Sequence, residues 1–190
     1  GLVYTHIRGG GERTQQAVFD IIGMNTIVDW VFLELRDQSD GNTIIATRSA
    51  LLQVDGEVVD MDGISPVIFD DLPFDDYYLV VRHRNHLGVM SALPVTLSST
   101  NTVVDFTSDQ NKAAGGANGI TALGDGYFGL FSGDFNHNGQ VQNLDYAGMV
   151  LTIGTTGYLQ ADFDLNGQVQ NTELQMKLIP NIGKGEAFGL

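Results

Sequence analysis

The chain has 190 residues and a mass of 20.5 kDa, enough for one large domain or for one ordinary domain with a small appended module. A hydrophobic content of 43% with 17% charged residues excludes disordered and collagen-like classes, and the lack of cysteine excludes disulfide scaffolds, thiolate zinc sites, iron–sulfur clusters and cysteine nucleophiles. The 23 acids against 9 Lys and Arg give a formal charge of −14, which repels phosphate backbones and anionic membranes and so argues against nucleic acid as a partner. The same surplus of carboxylates is what oxygen ligation of a hard cation requires, which makes calcium the first ligand to look for.

Residues 1–110 are expected to form a β-sandwich domain, because short runs of Val, Ile, Leu and aromatics alternate with turn-forming clusters. The segment Leu2-Val3-Tyr4-Thr5-His6-Ile7 precedes Gly9, Gly10 and Gly11. It reads either as the sandwich's own first strand or as an arm that adds to the sheet of the next subunit. The clearest strand covers residues 27–36 and is apolar on both faces, with Val31, Leu33 and Leu35 on one and Trp30 and Phe32 on the other. Asp40-Gly41 then leads to a strand over 43–52, and Asp55-Gly56 to Val58-Val59, two pairs that favour tight hairpins. Further strands are expected at 67–69, 77–85, 88–90, 95–97 and 102–106.

Two polar clusters lie within this half. Arg82, Arg84 and His86, with His83 between them, share one face of an extended strand. The simplest expectation is a solvated face balanced by surrounding carboxylates, and the alternative is a patch for an anionic glycan or a neighbouring subunit. Asp70, Asp71, Asp75 and Asp76 are expected to be an acidic loop at the sandwich edge, since nothing sets two of them apart as an acid and base pair.

Residues 111–126, which begin Asn111-Lys112-Ala113-Ala114-Gly115-Gly116, are small and glycine-rich and are expected to be a linker. Beyond it, residues 127–190 contain an internal duplication. Asp134-Phe135-Asn136-His137-Asn138-Gly139-Gln140-Val141-Gln142-Asn143-Leu144-Asp145 recurs 28 residues later as Asp162-Phe163-Asp164-Leu165-Asn166-Gly167-Gln168-Val169-Gln170-Asn171-Thr172-Glu173, identical at 8 of 12 positions. Oxygen-bearing side chains stand at positions 1, 3, 5, 9 and 12, glycine at the sharp turn of position 6, and a β-branched residue at position 8. This is the pattern of an EF-hand calcium loop, in which position 7 adds a backbone carbonyl.

The expected ligands in the first loop are Asp134, Asn136, Asn138, the Gln140 carbonyl and Asp145, with Gln142 direct or through water. Those in the second are Asp162, Asp164, Asn166, the Gln168 carbonyl and Glu173, with Gln170 in the intermediate role. Two calcium sites follow, the second with three carboxylates against two and therefore the tighter. Val141 and Val169 are expected to pair the loops across a short strand, and His137 at position 4 to be a surface residue. A helix is expected after each loop, over 144–153 and 172–179, capped by Asn143 and Asn171. Glycine-rich segments precede both loops, so the unit is loop–helix. The alternative is a pair of Asx-rich turns that close a small unit without metal.

Two such units in tandem resemble a type I dockerin module over residues 131–184. Where cohesin-binding dockerins carry a hydroxyl pair, this chain has Asn143-Leu144 and Asn171-Thr172. The first half is similar, around Asp29 to Asp37, Leu51 to Asp60 and Tyr77 to Met90, to a domain near the C-terminus of large secreted bacterial surface proteins, where paired calcium loops also follow. The segment Asp71-Leu72-Pro73-Phe74-Asp75-Asp76-Tyr77-Tyr78 also looks like the start of a strand in prealbumin-like sandwiches. The resemblance implies a prealbumin/Ig-like sandwich followed by a small α-rich module, and an extracellular or cell-surface location.

No run approaches the roughly 20 apolar residues that span a bilayer, and no charged-then-apolar targeting segment stands at the start. Gly1 in place of Met fits a processed chain or the C-terminal part of a longer one. There is no Gly-x-Ser-x-Gly, His-Glu-x-x-His or phosphate-loop signature, so no enzymatic activity is expected. The expected function is structural: surface display, or a subunit of a self-assembling extracellular fibre. The alternative is a docking module that attaches a secreted enzyme or adhesin to a receptor or glycan.

Overall fold

The computed structural model describes residues 2–3 and 11–189. The chain is mainly antiparallel β and divides into two compact units, residues 1–81 with 94–103, and residues 82–93 with 104–190.

The first unit holds β1 (Leu2–Val3), β2 (Arg13–Thr14), β3 (Ile27–Asp37), β4 (Ile44–Gln53), β5 (Val58–Val59), most of β6 (Asp76–His83), and, beyond β7 (Val89–Met90) of the second unit, β8 (Val95–Thr96). The sheet runs β5-β4-β3-β6, and β8 pairs the start of β6. The hairpin β3–β4 is the long pair, with Trp30 opposite Leu51 and Phe32 opposite Ser49. Gly41, in the turn between these strands, has φ +64°, a left-handed conformation that glycine adopts without a Cβ penalty.

β3 is buried on both faces, as its apolar alternation requires. Trp30 and Phe32 pack with Val18, Leu51 and Val59 on one face, and Val31, Leu33 and Ala50 form the other cluster with Val67, Phe69, Leu79 and Val81 against it. Within β3 sits a buried ion pair: Glu34 Oε2 accepts from Arg36 Nε at 2.9 Å and from Nη2 at 2.7 Å.

Two expected strands are corrected here. Residues 67–69 and 102–106 are irregular chain. Val67 and Phe69 contribute apolar packing without joining a ladder, so apolar content there marked burial and not pairing. The start of the proposed N-terminal arm, Leu2–Val3, pairs with Arg13–Thr14 of its own chain, and residues 4–7 lie outside the described residues. Of the acidic cluster, Asp70 and Asp71 are exposed, Asp75 accepts from Gln38 Nε2 at 3.0 Å, and Asp76 is half-buried as the first residue of β6.

The second unit contains β7, β9 (Thr121–Gly124), β10 (Tyr127–Gly129), α1 (Asn143–Val150) and α2 (Asn171–Glu173). A tighter or wider helical turn continues α2 through Leu174–Leu178 and Ile179–Asn181. Its core is Leu87, Phe131, Val141, Met149, Ala161, Phe163, Val169, Leu174 and Leu178. Residues 111–126, expected as a linker, are packed into this unit, with Ala113 and Ile120 buried and β9 paired with β10. Glycine serves close approach there: a Cβ on Gly119 would lie 2.1 Å from the Ala114 carbonyl oxygen.

Candidate metal centre

The two loops repeat one hydrogen-bond circuit. In the first, Asp134 Oδ1 accepts from Asn138 N at 3.1 Å and its Oδ2 from Gly139 N at 3.1 Å, while Asn136 Oδ1 accepts from Asn138 N at 3.0 Å and Asn138 Oδ1 from Gln140 N at 3.0 Å. In the second, Asp162 Oδ1 accepts from Asn166 N and its Oδ2 from Gly167 N, both at 3.0 Å. Asp164 Oδ1 accepts from Asn166 N at 3.2 Å and Asn166 Oδ1 from Gln168 N at 2.8 Å. Every side chain at positions 1, 3 and 5 is thus turned inward by a backbone N–H, which folds the acidic segment around one centre.

The last position closes each loop. Asp145 accepts from Asn136 N at 3.1 Å and from Gln142 N at 2.8 Å, and Glu173 from Phe163 N at 2.6 Å and Gln170 N at 2.7 Å. The bonds from Gln142 and Gln170 put those residues at the helix N-caps, one residue earlier than the expected Asn143 and Asn171, because the acid at the third helical position reaches back to them. The helix N-terminus also favours a negative charge at this point. Gln142 and Gln170 turn their side-chain amides to Gln140 Oε1 and Gln168 Oε1, not into the loops.

Gly139 and Gly167 have φ of +75° and +82°, so position 6 of each loop is left-handed, as the sharp turn demands. His137 and Leu165, both at position 4, are also left-handed, at +59° and +62°. Left-handed backbone is disfavoured for residues with a Cβ, and here it recurs at the same place in both loops. His137 is half-buried and bonds to Gln160, so it is not the surface residue expected from its position.

Val141 and Val169 are buried in one core but do not pair with each other. Val141 exchanges backbone bonds with Gly183 and Lys184, and Val169 with Gly154 and Thr155. Each loop's ladder position is taken by the chain that follows the other loop's helix. The duplicated halves are therefore interleaved, which the expected loop-to-loop strand did not anticipate.

Burial and charge act together at the centre. Burial first, and then the Asp145 charge, push the Asp134 carboxyl up to about 6, although Gly139 and Asn138 donate to it. Burial raises Glu173 above the usual carboxylate range, with Asp164 and Asp162 adding to the effect. Ligand oxygens of Asp162, Asp164 and Glu173 all lie within 4.8 Å of one another, and among the described residues this is the one such group of three acidic or imidazole side chains. Oxygens on opposite sides of a calcium ion at 2.3–2.6 Å stand up to about 5 Å apart, so the spacing fits one ion. The first loop supplies two carboxylates, with Asn136 where the second has Asp164. All-oxygen donors held inward, with ionisation of Asp134 and Glu173 disfavoured by burial, fit a hard divalent metal.

The basic cluster is not the solvated face expected of it. Arg82, His83, Arg84 and Asn85 are all buried, and each of the two arginines meets a carboxylate of the second unit. Sequence reasoning placed no role on Asn85 or Glu186 and gave Arg84 only a place in a surface patch. The one available signal was the break in apolar alternation at Arg82, where four polar residues continue an apolar strand.

Comparison with protein-family models, with curated proteins and with solved structures gave no match to this chain.

Proposed function

We propose that this chain is a non-catalytic calcium-binding structural protein of the cell exterior, in which two dockerin-like calcium loops rigidify the C-terminal unit. The observation that carries the reading is the recurrence of the same inward-turned hydrogen bonds at positions 1, 3 and 5, with the acid of position 12 bonded to the N–H of position 9, in two loops 28 residues apart. Buried carboxylates at both ends of the loop cost desolvation that their backbone donors offset only in part at Asp134 and Glu173, and a bound cation would offset the rest. With two and three carboxylates, the sites belong with weak extracellular calcium modules, which work at about 0.1–1 mM and fit a location where calcium is abundant. In this reading the first unit is a spacer of the prealbumin or Ig-like sandwich type, and the whole is a unit of surface display or of an extracellular fibre.

A second reading, a docking module for a receptor, is favoured by one feature. Leu144, Leu151 and Met176, on and beside the helical segments that follow the loops, are exposed apolar side chains. Thermal melts and sedimentation velocity in millimolar calcium and in chelator test both. Calcium should raise the melting temperature, and growth in sedimenting mass with concentration favours the fibre subunit. A monomer at all concentrations favours docking, and identical melts with and without calcium contradict both.

A further inference from the structure

The segment 82–93 returns from β6 as an integral part of the calcium-loop unit. Leu87 lies in the core that also holds Val141 and Val169 of the two loops, its N–H donates to the Phe131 carbonyl at 2.8 Å, and Gly133 N donates to the Asn85 carbonyl at 3.1 Å. His86 bridges Ser132 in antiparallel fashion. These backbone bonds fix residues 85–87 against the chain that enters the first loop, and so aim the side chains of Arg84 and Asn85 at the second.

Asn85 is fully buried, and its Nδ2 donates to the backbone carbonyl of Asp162 at 2.7 Å. Arg84 is also buried: its Nη1 donates to the Leu159 carbonyl, its guanidinium lies 4.3 Å from the centre of the Tyr158 ring, and its Nη2 stands 3.9 Å from Asp162 Oδ2. Leu159 and Asp162 bracket the chain that enters the second loop, so the two side chains hold both ends of that approach. Asp134, the matching residue of the first loop, has the same pair of backbone donors, but among the described residues no ion pair.

Resting on the calcium reading above, we propose that Arg84 and Asn85 are positioning residues for the second calcium site, holding Asp162 so that its Oδ1 faces the loop centre. Oδ2 accepts from Gly167 N within the loop and faces the guanidinium at 3.9 Å from outside it, while Asn85 anchors the backbone to which the carboxylate is attached. Groups that orient a metal ligand from behind typically contribute 10–100-fold in affinity. A guanidinium near the site also repels the ion, so orientation and repulsion predict opposite signs and can be separated by experiment.

The test is calcium calorimetry on the full chain in two backgrounds, Asp134→Asn to report the second site and Asp162→Asn to report the first, each with Arg84→Met, Arg84→Lys or Asn85→Ser. The expected result is a loss of about 10-fold or more at the second site with Arg84→Met and Asn85→Ser, and a change of less than about 2-fold at the first. Arg84→Lys, which keeps the charge but not the planar fork, should also weaken the second site, and it carries the test where Arg84→Met fails to fold. Unchanged or tighter binding at the second site overturns the proposal, as does equal weakening of both sites, which marks a general loss of stability. Absence of calcium heat in the unsubstituted chain overturns instead the reading on which the proposal rests.

Discussion

Arg82 Nη1 lies 2.6 Å from Glu186 Oε1, and the pair joins residues 104 positions apart with both side chains more than nine-tenths buried. The same Glu186 oxygen accepts the Gly88 N–H at 2.9 Å, and the Phe188 ring lies 5.2 Å from the Arg82 guanidinium carbon. The start of the 82–93 segment and the C-terminal chain thus share one charged contact. A Cβ on Gly88 would stand 2.8 Å from that oxygen, so glycine is what lets the chains approach.

Removing one member of a buried pair strands the other charge. Glu186→Ala is expected to destabilise the second unit by about 3–5 kcal/mol, read from urea unfolding. A change below about 1 kcal/mol would show that the pair is solvated in solution and worth no more than a surface bridge.

The same reasoning applies within β3, where Arg36 grips Glu34 and its Nη1 donates to the Gly41 carbonyl at 3.2 Å. Glu34→Leu alone should cost about 3–5 kcal/mol, whereas the double replacement Glu34→Leu with Arg36→Met should recover most of the loss, because no buried charge is left unpaired. A double-mutant cycle measures this, and simple additivity of the two single costs would contradict it.

Acid should stabilise the metal-free protein near the first loop. Asp134 sits near 6 when folded against an ordinary value of 3.8, so between those values the folded state binds the extra proton. Stability from this group is therefore fully present below about 4 and lost as pH rises through about 6. In chelator the melting temperature is expected to rise from pH 7 to pH 5, and Asp134→Asn to flatten the rise. In saturating calcium the order reverses, since the ion requires the carboxylate. Parallel pH profiles with and without calcium would count against metal at this loop.

Gly167→Ala places a Cβ on a residue at φ +82°, where open space surrounds the added atom. The cost should then be conformational alone, about 1–2 kcal/mol, seen as a modest fall in melting temperature without calcium. A much larger loss would indicate packing at position 6 that the geometry does not contain.

The long hairpin and both loops were legible because their patterns are local. Ten residues of two-sided apolar alternation define β3, and oxygen donors at fixed offsets around a glycine define each loop. What was not legible depends on distant partners. Residues 111–126 resemble a linker in composition, but Gly115 and Gly119 are small because Ala187 and the Ala114 carbonyl crowd them. The Arg82 to His86 run carries charge that normally faces water, and only the folded chain brings Glu186 and Asp162 to meet it. The position-8 valines gave the right burial and the wrong partner, since pattern fixes which side chain is inside but not which strand answers it.

The central claim is that the duplicated loops are metal sites, and calorimetric titration of calcium into the full chain tests it most directly. Two binding events are expected, with Asp162→Asn removing the tighter one and Asp134→Asn the weaker. A titration without heat, repeated at two temperatures and with no shift of the melting curve, would contradict it and leave the repeat as a pair of structural turns.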